Sequence, residues 1–168
     1  MSGKSTLLGA IGLNAVLALA GGPVRAAALS LSRFLVCASV APVESLANGK
    51  SRFLAEVERL KQALALTEGN APVLFLVDEI FSGTNSSDRR VAAEAVVHKL
   101  IDRGALGAIS THDLALPEIA NREGLAGVNV HMGSREGGGP MDFDYLLKPG
   151  VTTEANGLAI ARMAGVEV

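Results

Sequence analysis

Apolar and polar positions recur along this chain with two different periods, and the changes of period divide it into elements. Residues 5–19 (STLLGAIGLNAVLAL) carry Ala and Leu on most faces with few β-branched residues, which predicts a helix buried against a sheet and stopped by Gly21-Gly22-Pro23. Residues 32–38 read as a short strand, followed by an irregular stretch over 42–49. Over 51–66, Phe53, Leu54, Val57, Leu60 and Leu64 fall at helical spacing, the pattern of an amphipathic helix with one solvated face. Pro72 introduces the wholly apolar run 73–77, a buried strand, and a polar turn at 82–86 leads into a helix over 88–101 that Gly104 ends. A further apolar strand spans 106–110, and a helix is expected to begin at Thr111-His112-Asp113 and run to Asn121. Residues 125–132 and 141–147 alternate as the strands of an antiparallel hairpin around the Gly-rich 133–140, and a helix over 156–164 closes the chain. Without a repeat, linker or low-complexity tract, this order predicts one α/β domain over 1–168, with a mainly parallel sheet flanked by helices and an antiparallel hairpin near the C-terminus.

Composition narrows the picture. An apolar fraction of 49 % over 168 residues supports a packed core rather than disorder. With nineteen Gly, five Phe, one Tyr and no Trp, that core must be built from Ala, Val, Leu and Ile, as where helices cover a parallel sheet. The net charge of −2 leaves no global basic footprint for nucleic acid, so any DNA contact would be local or would lie outside this segment. The single Cys37 excludes an intramolecular disulfide and offers no metal cluster; it reads as a core thiol in a reducing, cytoplasmic setting. Lys4, the apolar run 7–20 and Ala26-Ala27-Ala28 imitate a signal peptide, but the run is too short to span a bilayer, and no membrane contact is expected.

The polar residues at the element ends carry the chemistry. Ser2-Gly3-Lys4-Ser5-Thr6 is the second half of a phosphate-binding loop of pattern G-x-x-x-x-G-K-[ST]; its first Gly is not in the chain, which suggests that Met1 is an internal methionine or a fragment boundary. Such a loop supplies backbone amides and a lysine to phosphates and a hydroxyl to Mg²⁺. The apolar strand then ends in Asp78-Glu79, and paired carboxylates there are expensive to desolvate without a cation nearby. Together the segments read as an ATP-hydrolysing site: Ser5 and Asp78 hold Mg²⁺, Lys4 meets the β- and γ-phosphates, and Glu79 orients or deprotonates the attacking water. The plain alternative for Asp78 is a helix N-cap. His112 follows the next strand at a turn, where it could reach over the sheet edge to a γ-phosphate; its plain alternative is a cap or a core histidine. His98, on a helix, and His131, in the hairpin, carry no assigned role.

Gly3-Lys4-Ser5-Thr6, the segment LANGKSRFLAE at 46–56, the run DEIFSGTNS at 78–86 and Ser110-Thr111-His112 stand in one order and spacing, and there the chain closely resembles the ATPase domain of the MutS mismatch-repair family. The similarity runs the whole length, including the hairpin and Asn156-Gly157-Leu158-Ala159-Ile160-Ala161. It implies a P-loop NTPase of the ABC type that works as a homodimer, each ATP held between one subunit's phosphate loop and a serine of the other. Ser51 matches that serine, although from its own surroundings it reads only as a helix N-cap. The turn around Asn85 matches the loop that crosses the dimer seam, and DNA would be bound by further domains of the parent protein. Phe81-Ser82-Gly83-Thr84-Asn85-Ser86, in place of the family's usual Gly-Arg-Gly-Thr-Ser-Thr, and Arg52, in place of Thr, point to a divergent branch. Two other readings compete: an ABC-type ATPase coupled to a membrane or assembly partner, and a catalytically inactive fragment. A transporter subunit would carry a signature near L-S-G-G-Q before its Asp-Glu strand, where this chain has Asn48-Gly49-Lys50-Ser51-Arg52-Phe53.

Overall fold

The computed structural model describes residues 3–40, 52–83, 85–121, 124–135, 137–139, 141–152 and 161–166. They fall into two compact units, one of residues 5–119 and one of residues 120–168 with the first four. The larger unit is a parallel sheet of β1 (Leu35–Ser39), β2 (Val73–Asp78) and β3 (Leu106–Ser110), in that spatial order, with α1 (Lys4–Leu19), α2 (Arg52–Leu66) and α3 (Ser86–Asp102) between the strands in sequence. The α/β class and the parallel sheet therefore agree with the sequence.

β2 is apolar and buried from Val73 to Val77 because it is the central strand and both of its faces are covered. Leu74 and Leu76 meet Leu8 and Ala15 of α1 on one face, with Val36 and Ala108 from the neighbouring strands packed against the same cluster. On the other side α2 lies against β1, β2 and α3, and Leu60, Ala63, Ala93, Val97 and Leu100 of these helices are buried. Two glycines permit this closeness. A Cβ on Gly12 would stand 3.0 Å from Leu76 Cδ1, and one on Gly107 would stand 2.0 Å from the Phe75 carbonyl oxygen.

Several boundaries differ from expectation. α1 buries only the stripe Leu8, Gly12 and Ala15, while Leu13 and Val16 on its other faces are more than half exposed; one sheet face can cover only one stripe of a helix. β1 starts at Leu35 rather than at 32. α3 starts two residues early, because Asn85 caps it. No α-helix starts at Thr111. Thr111 Oγ1 accepts the Asp113 N–H at 3.0 Å and Asp113 Oδ1 accepts the Ala115 N–H at 3.0 Å, local bonds that compete with helix formation. Pro117 then leaves only a short 3₁₀ helix, Leu116–Asn121. The irregular stretch 42–49 lies outside the described residues, as does most of the closing helix, of which residues 161–163 are helical.

In the smaller unit β4 (Val130–Ser134) and β5 (Phe143–Pro149) form the expected antiparallel hairpin. Its first strand begins five residues late, since the Gly127 N–H bonds back to the Leu125 carbonyl at 2.9 Å and turns the chain there. The register shifts between Met132 and Ser134. Opposite that shift Tyr145 adopts a left-handed conformation, φ 56°. His131, which has no evident partner in the sequence, has Nδ1 3.0 Å from the Gly150 carbonyl oxygen.

Candidate functional site

The carboxyl edge of the sheet gathers the polar chemistry. Asp78 and Ser110 end neighbouring strands and are register partners. The buried Ser110 hydroxyl donates to Asp78 Oδ1 and accepts the Glu79 N–H at 3.2 Å. The Ser110 carbonyl accepts the same N–H at 3.1 Å. Glu79, with φ 57°, thereby turns out of the strand direction, and its Oε1 comes 2.8 Å from His112 Nε2. The structure thus brings Asp78, Glu79 and His112 together. Asp78 is the last residue of a strand and not a helix N-cap. His112 is mostly exposed and not a core histidine.

The turn after β2 is pinned to α2. Ser82 Oγ donates to Oε1 of the buried Glu56 at 3.3 Å, the Phe53 and Phe81 rings lie 5.9 Å apart, and a Cβ on Gly83 would stand 3.2 Å from the Phe53 nitrogen. Gly83 thus lies against the first turn of α2, immediately after Ser51, which is outside the described residues. Asn85 Oδ1 accepts the Asp88 N–H at 2.9 Å, and its Nδ2 donates to Asp88 Oδ2 at 2.7 Å.

Ser2 also lies outside the described residues. Gly3 has φ 92°, a conformation that favours glycine. Lys4 begins α1, and Ser5 and Thr6 are exposed on its first turn, which carries no acidic residue. With no carboxylate of its own, the N-terminal turn of this helix is a setting that favours an anion. In the smaller unit Tyr145 lies against Gly3, where a Cβ would stand 3.2 Å from Tyr145 Cδ1.

Among the described residues no group of three or more His, Cys, Asp or Glu is placed to hold a metal ion. Mg²⁺ in nucleotide sites takes one or two protein oxygens and fills its shell with phosphate and water. A serine hydroxyl and Asp78 Oδ2, its sister oxygen being bonded to Ser110, fit that demand. At the far end of the chemistry, burial pushes the Cys37 thiol up in pKa, as expected of a packed cysteine.

The family model described as MutS domain V matches residues 1–168. The chain belongs to the MutS domain V family. It is 35 % identical over 168 residues to the DNA mismatch repair protein MutS of Thermus aquaticus, covering 99 % of this chain and 20 % of that protein. Proteins of the same description from Lactobacillus delbrueckii subsp. bulgaricus and Natronomonas pharaonis are 33 % and 32 % identical, each over 99 % of this chain and 19 % of their own. This MutS domain V segment therefore spans about a fifth of the length of the curated relatives it matches. No helix among its described residues is long and apolar enough to cross a membrane.

The placement of two residues escapes a reading of the sequence. Ser110 stands in the quoted Ser-Thr-His run, but its role depends on which strand lies beside it and in what register. Tyr145, the only tyrosine in the chain, gives no local sign that it lies against Gly3.

Proposed function

We propose that this chain is the ATP-binding and hydrolysing domain of a MutS-like DNA-binding protein, a P-loop NTPase of the ABC type serving mismatch repair or a related DNA transaction. The observation that carries this reading is the meeting of Asp78, Glu79 and His112 at one sheet edge in a member of the MutS domain V family. Ser2, Gly3, Lys4, Ser5 and Thr6 would take the phosphates, with the Lys4 ammonium on the β- and γ-groups. Ser5 and Asp78 would hold Mg²⁺, which when bound neutralises phosphate charge. Glu79 would accept a proton from the attacking water, and its contact with His112 fixes the carboxylate while leaving the exposed imidazole able to reach a γ-phosphate.

The working unit in this reading is a homodimer with composite sites, Ser51 and Asn85 of one copy serving the ATP of the other, in the cytoplasm and without membrane contact. DNA would be held by other parts of the parent protein, since the chain itself has no net positive charge. In the complete parent protein, Glu79→Gln keeps the side-chain shape but removes the proton acceptor, so it should abolish ATP hydrolysis while leaving ATP binding intact; Lys4→Ala should weaken binding itself. Steady-state turnover and calorimetric ATP binding check both, and normal turnover by Glu79→Gln would sink the assignment.

A further inference from the structure

The residues between Glu79 and His112 form a closed circuit. Two residues beyond Glu79, Phe81 also has positive φ, 52°, and its side chain is buried. Nonglycine residues in that region are strained and persist only where the surroundings hold them. One of the holders is Arg89 on the first turns of α3, whose Nε donates to the Phe81 carbonyl at 3.1 Å. The other end of the same guanidinium, Nη1, lies 3.6 Å from Asp113 Oδ2, in a pair whose side chains are only 23 % and 15 % exposed. Asp113 is the neighbour of His112, and its loop is already fixed by the Thr111 and Ala115 bonds. From Glu79 through Phe81, Arg89, Asp113 and His112 the path returns to Glu79 at the 2.8 Å contact.

We propose that Arg89, acting through Asp113, is a positioning residue that sets the His112 imidazole against Glu79. It rests on the reading of Glu79 and His112 as site residues. A planar guanidinium suits the task because its nitrogens point in fixed, divergent directions, one to each loop, which a lysine ammonium cannot reproduce. Nearby, Arg90 and Glu118 make a second ion pair between the same two segments at 2.9 Å. That pair is far more exposed, and exposed pairs contribute little.

The test uses the 168-residue chain, whose three histidines, His98, His112 and His131, are few enough to resolve by long-range ¹⁵N–¹H correlation of the imidazoles. Arg89→Gln removes the two-ended guanidinium but leaves a polar, uncharged side chain, and Asp113→Asn keeps shape; each breaks the ion pair. Each should move the His112 nitrogen signals to those of a free imidazole and leave His98 and His131 in place. The double variant should lose no more than either single, whereas Arg90→Gln should leave His112 unchanged. In the parent protein that carries this segment, with ATP as substrate, each single variant should lower kcat about tenfold or more, as misplacement of a reacting group does, with KM changed less than twofold. Unmoved His112 signals in folded Arg89→Gln and Asp113→Asn proteins, even with a lowered melting temperature, would overturn the proposal, as would additive shifts in the double variant. Moved His112 signals in the chain, beside a parent protein that hydrolyses no ATP, would sustain the positioning and sink the ATPase reading instead.

Discussion

Ser110 shows how much a single hydroxyl can hold: it donates to Asp78 and receives the Glu79 amide, while being buried itself. Ser110→Ala leaves a carboxylate oxygen and shifts the whole burden of the Glu79 amide to the Ser110 carbonyl, so stability should fall by about 1–3 kcal/mol, measured by urea unfolding. If the site holds Mg²⁺ through Asp78, Mg²⁺-dependent nucleotide affinity should fall with it. Gly107 is a stricter case. A methyl there would overlap the Phe75 carbonyl and ring, so Gly107→Ala should destabilise by at least about 1–3 kcal/mol in the same experiment. Asp78, Glu79 and His112 are legible in the sequence because charged or titratable groups at the ends of apolar runs carry their own signal. Ser110 and Gly107 are not, because what each does depends on the residue beside it in the next strand.

At the scale of the element, helices and strands were readable wherever one period dominated. The apolar run of β2 and the amphipathic pattern of α2 were of this kind. The segment after β3 was not, since Thr111, Asp113 and Pro117 each favour a different local bond over an α-helical one. The sequence of α1 shows a helix but not its burial, because an all-round apolar composition does not say how many faces the sheet covers. Asn85 sets the start of α3, and Asn85→Ala should cost about 1 kcal/mol, read as a lower melting temperature. A loss of ATP turnover beyond what that destabilisation explains would argue for the additional role across a dimer seam; unchanged turnover would reduce Asn85 to a cap. In β1 the half-buried Cys37 has its thiol raised in pKa by desolvation, so at neutral pH it holds less thiolate than a free cysteine. Its alkylation by iodoacetamide should therefore be slower than that of free cysteine and should accelerate on denaturation.

For the whole molecule, the decisive question is whether two copies share their sites. In the complete parent protein, Ser51→Ala alone should spare ATP binding by a monomer but reduce turnover, and mixing it with Lys4→Ala protein should restore at most one of the two composite sites. A heterodimer joins an intact loop to an intact serine in only one of its seams. Mixed turnover no higher than the mean of the separate proteins, with heterodimers demonstrated, would count against a shared site. The α/β order of the chain was legible because strands and helices alternate along it. Which side chains meet was legible only through resemblance, since Asp78 and Ser110 lie 32 residues apart with α3 between them.

That separation also orders the events of folding. A parallel pair cannot form by a local hairpin; the chain must first close a long loop and dock its crossing helix. As the chain emerges from synthesis, Asp78 and Glu79 are made before β3 exists, and the Glu79 amide has neither Ser110 acceptor to turn it aside. Its carboxylate then has no fixed direction and no His112 to meet. The meeting of Asp78, Glu79 and His112 arrives with the third strand, so a nascent or partly unfolded chain lacks it until the sheet has closed.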